Sequence, residues 1–124
     1  MSNRPERVAE RIKREVAEVL ENHLRDPRLT GMVSVTDVEV TSDLGSAKVF
    51  VSVLESGAAR DQAMKALASA AGFVRRQLAP RLGLREVPEI RFLLDTSIER
   101  GARVEDLLRK LAEGEPIPDP DEES

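Results

Sequence analysis

The chain opens on a helical stripe. Val8, Ile12, Val16, Val19, Leu20 and Leu24 recur at the spacing that gathers side chains on one side of a helix. The pattern predicts a first helix from about Pro5 to His23 or Leu24. Pro5 suits its first turn, where a missing N–H costs nothing. Glu10–Arg14, Arg11–Glu15 and Arg14–Glu18 stand four residues apart on the polar side, as opposite charges do on a solvated helix face. Asp26-Pro27 ends the helix, because a residue before proline is pushed out of the helical region.

Alternation follows. Met32 to Thr41 is rich in Val and Thr, with Val33 and Val35 in one phase and Val38 and Val40 in the other, which predicts a strand with a bulge or a late start. Ala47, Val49, Val51 and Val53 alternate cleanly as a second strand. Ser42-Asp43-Leu44-Gly45-Ser46 closes a hairpin between the two. The period then returns to helical. Ala63, Leu67, Ala70, Val74 and Leu78 form the buried stripe of a long helix over about Ala58 to Ala79. Gly72 interrupts its middle, at a cost of about 1 kcal/mol relative to alanine. Pro80 bends or ends it, and Gly83 allows a sharp exit. Ile90, Phe92 and Leu94 share one face of a third strand near Pro88 to Asp95. Thr96-Ser97-Ile98-Glu99 has capping-box spacing, and Val104, Leu107, Leu108 and Leu111 stripe a last helix. The order helix, strand, strand, interrupted helix, strand, helix makes a two-layer α+β domain, a three-stranded sheet covered by helices on one side.

Charge changes this picture. The 124 residues carry 19 basic and 23 acidic side chains, a formal net charge of −4, which argues against a nucleic-acid partner. The total hides an uneven distribution. Residues 113–124 hold six acids (Glu113, Glu115, Asp119, Asp121, Glu122, Glu123), three prolines and no base, and only Ile117 is strongly apolar. Such a segment buries too little to offset its ordering entropy, so we expect a disordered acidic tail behind a domain of residues 1–112 with net charge +2. Within that domain Arg60 to Arg85 carries six bases against Asp61 alone, whereas Leu29 to Ala59 has net charge −3.

Composition excludes much catalytic chemistry. With no cysteine and one histidine, His23, there is no disulfide, thiolate metal site or three-histidine site. No phosphate-binding glycine motif of the P-loop or dinucleotide type is present. Asp37, Glu39 and Asp43 lack the spacing of a calcium loop and read as a solvated strand face. His23 reads as a cap or surface residue at the end of the first helix. No apolar run is long enough to span a membrane and no secretory leader is evident, so we expect a soluble intracellular protein without metal, cofactor or small-molecule substrate. Nothing demands more than a monomer.

The interrupted helix holds the chemistry that remains. Lys65, Ser69, Gly72 and Arg76 recur on one face, opposite the apolar stripe, with Arg75 adjacent and Arg81 and Arg85 beyond the break. A glycine amid cations lets an RNA backbone approach closely. The same residues also describe a glycine that relieves packing and arginines that are merely solvated; residue types leave both readings open. With no Trp or Tyr and three Phe at mostly core-phased positions, base stacking on rings is excluded, and any binding uses charge, backbone and shape.

The order of elements resembles the type II KH arrangement, helix–strand–strand–helix–helix–strand. KH modules clamp a nucleic-acid backbone with a G-x-x-G loop. This chain has none; at the equivalent break stands Ala70-Ala71-Gly72. That A-x-G, within Ala66 to Arg75, resembles the ribosome-binding factor A family. So do Thr36 to Val40 with Asp43 and Ala47 to Val49, Arg85 to Phe92, and Asp95 to Glu99. The match covers roughly residues 5 to 112. The resemblance implies a KH-like fold with a helix-kink-helix at the A-x-G. It also implies a non-enzymatic cytoplasmic factor that binds the free 30S subunit and its 16S rRNA. Such a factor acts late in subunit assembly, is needed for efficient 5′-end processing of precursor 16S rRNA, and favours growth in the cold. The residues expected on RNA are Lys65, Ser69, Gly72, Arg75, Arg76, Arg81 and Arg85, with Ala70-Ala71-Gly72 setting the kink. Two rivals are a protein-docking module working through the first helix or the acidic tail, and an RNA-processing enzyme.

Overall fold

The periodicities assemble as two layers. The computed structural model describes residues 4–24, 26–29 and 33–114, apart from the side chains of 98–100 and 102. Helix α1 spans Arg4–Asn22, and a single tight turn, Pro27–Leu29, follows it. Strands β1 (Val33–Val40) and β2 (Ser46–Val53) form the hairpin, α2 (Gly57–Leu82) leads to β3 (Glu89–Leu94), and α3 (Ser97–Ala112) closes the order. The sheet order is β1-β2-β3, antiparallel between β1 and β2 and parallel between β2 and β3. Parallel neighbours need a crossover, and α2 supplies it. Met32, expected to start β1, and most of the acidic tail (115–124) lie outside the described residues.

The core lies between one sheet face and two helices. Ile12, Val16 and Val19 of α1, Val49 and Val51 of β2, and Leu67, Val74 and Leu78 of α2 are all 0% exposed. Burying side chains of this size contributes about 1.5–3 kcal/mol each. The bulge in β1 is where the phase change of its valines predicts it. Pairing passes from Val35↔Val51 to Asp37↔Phe50 and skips Thr36. The extra residue lets Val33, Val35, Val38 and Val40 all join the core face. Thr36 turns its hydroxyl to Asp95 Oδ2, 2.5 Å away across β2.

In the hairpin turn, Leu44 takes the left-handed conformation, with φ 60°. That strain costs a non-glycine residue about 1–2 kcal/mol. It is offset by Asp43, whose carboxylate accepts from the Thr41 hydroxyl at 2.7 Å and from Gly45 N–H at 2.9 Å. These donors, Thr41 first, hold the Asp43 carboxyl below its ordinary range.

Helix α2 continues as one run from Gly57 to Leu82, so the two half-helices anticipated around Ala70-Ala71-Gly72 are joined. Pro80 is accommodated in the last turn, and Gly83 ends the helix with φ 62° and ψ 20°. A Cβ built at Gly72 meets only Arg76 Nη1, at an ordinary 3.5 Å. Packing in the free protein therefore does not require glycine there.

Helix α3 corrects two expectations. Thr96 makes no side-chain capping bond. Its φ of −103° and ψ of 11° depart from the extended backbone that aims a capping hydroxyl at the first turn. Asp95 takes over: its Oδ1 accepts from Ser97 N–H at 2.8 Å. The apolar stripe is also not buried. Val104, Leu108 and Leu111 are 53%, 60% and 51% exposed, and among the described residues α3 contributes none to the core. With α1 and α2 already covering the core face of the sheet, the stripe is left facing solvent.

Candidate nucleic-acid interface

The packing of α2 decides which cations face outward. Ala63, Leu67, Ala70, Val74 and Leu78 are buried, and Lys65, Ser69, Gly72 and Arg76 are exposed on the opposite side. The spacing therefore reads the two faces correctly. The Ser69 hydroxyl donates to the Lys65 carbonyl at 3.0 Å, which leaves its lone pairs outward. Lys65, Arg76 and Arg85 have no ion-pair partner among the described residues.

The other two arginines are committed to the fold. Arg75 reaches off the helix and donates through Nε (3.1 Å) and Nη2 (2.8 Å) to the Val87 carbonyl. It pins the segment that delivers β3 and keeps its remaining N–H groups free. Arg81 turns toward α1. Its Nη1 lies 3.2 Å from Glu15 Oε2 and 2.5 Å from Glu18 Oε2, and its Nη2 is 3.1 Å from His23 Nε2. Arg11 Nη2 donates to the Arg81 carbonyl at 2.7 Å and completes the joint. So Arg81 is neutralised by two carboxylates and does not join Lys65, Arg76 and Arg85. The same contacts replace the salt bridges expected along α1: Arg11, Glu15 and Glu18 Oε2 serve α2, while Glu18 Oε1 accepts from Asn22 and meets His23. A guanidinium between two helices is partly desolvated, and two carboxylates there hold it more strongly than solvated pairs hold each other.

His23 sits in this cluster as a surface residue, its Nε2 3.2 Å from Glu18 Oε1. Asp37 and Glu39 lie exposed on β1 and Asp43 in the hairpin turn. Among the described residues, no three His, Asp or Glu side chains converge as a metal site, and no helix is long and apolar enough to cross a membrane.

Two sets of cations escape the sequence reading. Lys48 and Arg91 are direct neighbours across β2 and β3 on the uncovered sheet face. Arg4, Arg7 and Arg11 line one side of α1 with Leu82 and Leu84 opposite. Their spacing of three and four residues was the available signal. The opposite-charge pairs on the same helix obscured it.

The ribosome-binding factor A family profile matches residues 4–108 of the chain. The chain belongs to the ribosome-binding factor A family. Among curated members, the Desulforamulus reducens protein is 46% identical over 118 residues, 95% of this chain and 98% of that one. The Acetivibrio thermocellus protein is 49% identical over 107 residues, 86% and 87% of the two chains. The crystal structure of ribosome-binding factor A from Thermus thermophilus superposes with a TM-score of 0.65 at 28% identity, over 73% of this chain and 93% of that one. A Thermus thermophilus ribosome-binding factor A model fitted to a cryo-EM map of its complex with the 30S subunit gives 0.62 at 27% identity, over 77% and 97%. The α+β, KH-like architecture is thus shared with solved members of the ribosome-binding factor A family.

Proposed function

We propose that the protein is a non-enzymatic assembly factor of the bacterial cytoplasm. It binds the free 30S subunit through 16S rRNA and promotes late maturation, including 5′-end processing of precursor 16S rRNA. The observation that carries this reading is the solvent face of α2. From Gln62 to Arg85 the chain has no carboxylate, and Lys65, Arg76 and Arg85 stand exposed there with no ion pair among the described residues. Family membership supports the partner, as does the Thermus thermophilus relative fitted into a 30S complex. The three cations meet phosphates, and Gly72 lets the strand approach the helix between them. Binding one rRNA conformer more tightly than its competitors shifts the population toward it, and separate nucleases then trim the end.

Sedimentation with free small subunits at graded salt tests this. Association should fall steeply as salt rises, because phosphate contacts release counterions. Association that survives both high salt and nuclease treatment would favour protein docking. Gly72→Ala separates binding from folding. With room for the Cβ, the variant should gain about 0.5–1 kcal/mol in thermal or chemical unfolding, as a helix interior does when glycine becomes alanine. It should nonetheless lose affinity for small subunits. Unchanged affinity would remove Gly72 from the interface.

A further inference from the structure

We propose that a cleft between the start of α1 and the segment leaving α2 binds a phosphate–ribose step of single-stranded RNA. The cleft has a volume of about 270 Å³ and is lined by Arg4, Arg7, Val8, Arg11, Leu82 and Leu84. It rests on the reading of the protein as an rRNA binder and extends that reading beyond α2.

The three guanidiniums belong to successive turns of one helix face, spread along about 10 Å at 1.5 Å per residue. None of the lining residues is acidic. Arg4 and Arg7 have no hydrogen-bond or ion-pair partner among the described residues. Arg11 uses one N–H on the Arg81 carbonyl, and its planar fork retains others. Like charges this close on a helix repel one another, and an anion between them relieves the repulsion. Guanidinium forks match phosphate oxygens in pairs, and the N-terminal end of α1 adds its own positive potential. The opposite wall is aliphatic, with Leu82 buried and Leu84 half-buried, and the half-buried Val8 of α1 adds to the apolar lining. Apolar surface beside the arginines gives a ribose or base face something to cover, which an inorganic ion does not need. Arg85 follows Leu84 directly in the chain and adds an exposed cation next to the lining. An aliphatic wall facing guanidiniums suits a ribose or base face joined to a phosphate, whereas an acidic peptide such as residues 113–124 of this chain, with Ile117 alone strongly apolar, has little to lay on it.

The test is the double variant Arg4→Gln/Arg7→Gln in the full-length protein, with Arg11 kept because it braces α2. Binding of a short fluorescein-labelled single-stranded RNA is measured across a salt series, with thermal melting in parallel. The variant should melt with the parent and bind more weakly. Its slope of log K against log salt should be shallower by about 1.4, two contacts at roughly 0.7 each. A slope equal to the parent's overturns the cleft and leaves the α2 reading standing. A parent that binds neither this RNA nor small subunits overturns both. If a synthetic peptide of residues 113–124 binds the parent but not the variant, while RNA binding is unchanged, the cleft belongs to an acidic peptide and the proposal fails.

Discussion

Reversing Lys65, Arg76 and Arg85 together to glutamate should lower affinity for free small subunits by on the order of 10²- to 10³-fold at moderate salt. It should also flatten the salt slope by about 2–3. All three side chains are exposed and hold no ion pair among the described residues, so the fold loses nothing when they change. Each reversal removes one phosphate contact and adds one repulsion. The melting temperature should stay near that of the parent. Arg81→Gln is the informative contrast. It leaves Glu15 and Glu18 facing each other without the guanidinium between them. The expected result is a loss of about 1–2 kcal/mol of stability, above the value of an exposed pair because the joint is partly buried. Its salt slope should match the parent's. If instead the triple variant sediments normally, or Arg81→Gln flattens the slope, the division between binding and bracing arginines drawn here is wrong.

Leu67→Ala should destabilise the protein by about 2–5 kcal/mol, from lost transfer energy and the cavity left behind. Leu67 is 0% exposed, in the middle of α2, within the core that α1 and the sheet complete. At roughly 4–8 °C per kcal/mol for a domain of this size, the melting temperature should drop by about 10 °C or more. Leu108→Ala, chemically the same substitution, should change stability by less than about 0.5 kcal/mol, because Leu108 is already 60% exposed. Circular-dichroism melts of the two variants decide the matter. Equal losses would mean that α3 is packed in solution, against this structure.

That pair of leucines marks the limit of what periodicity tells. Each sits in an apolar stripe at helical spacing, and nothing local distinguishes them. A stripe reports that one face of a helix is apolar; it does not name the surface that covers it. For α1 and α2 that surface is the single available core face of the sheet. For α3 no described residue supplies one. The irregularity at Thr36 was legible in part. The change of phase between Val35 and Val38 is met by an extra residue or by a late strand start, and the pairing with β2 decides for the extra residue.

Charges divide in the same way. Which side of α2 faces water follows from its own spacing, so Lys65, Gly72 and Arg76 are placed by sequence. The duties of Arg75 and Arg81 are not, because their partners are distant in the chain. Val87 lies 12 residues beyond Arg75, and Glu15 lies 66 before Arg81. An arginine reads as a free cation until the fold brings a carbonyl or a carboxylate to it.

The sequence by itself determined the elements, their order, the phase change in β1, the basic face of α2 and the family, because each is written in short-range periodicity or in contiguous motifs. The tertiary structure decided what those elements do to one another. It took Arg81 out of the cationic face, left the α3 stripe uncovered, showed that Gly72 has room for a methyl group, and set Leu82 and Leu84 against three arginines of α1. Each of these depends on contacts between residues far apart in the chain, and only packing sets such distances.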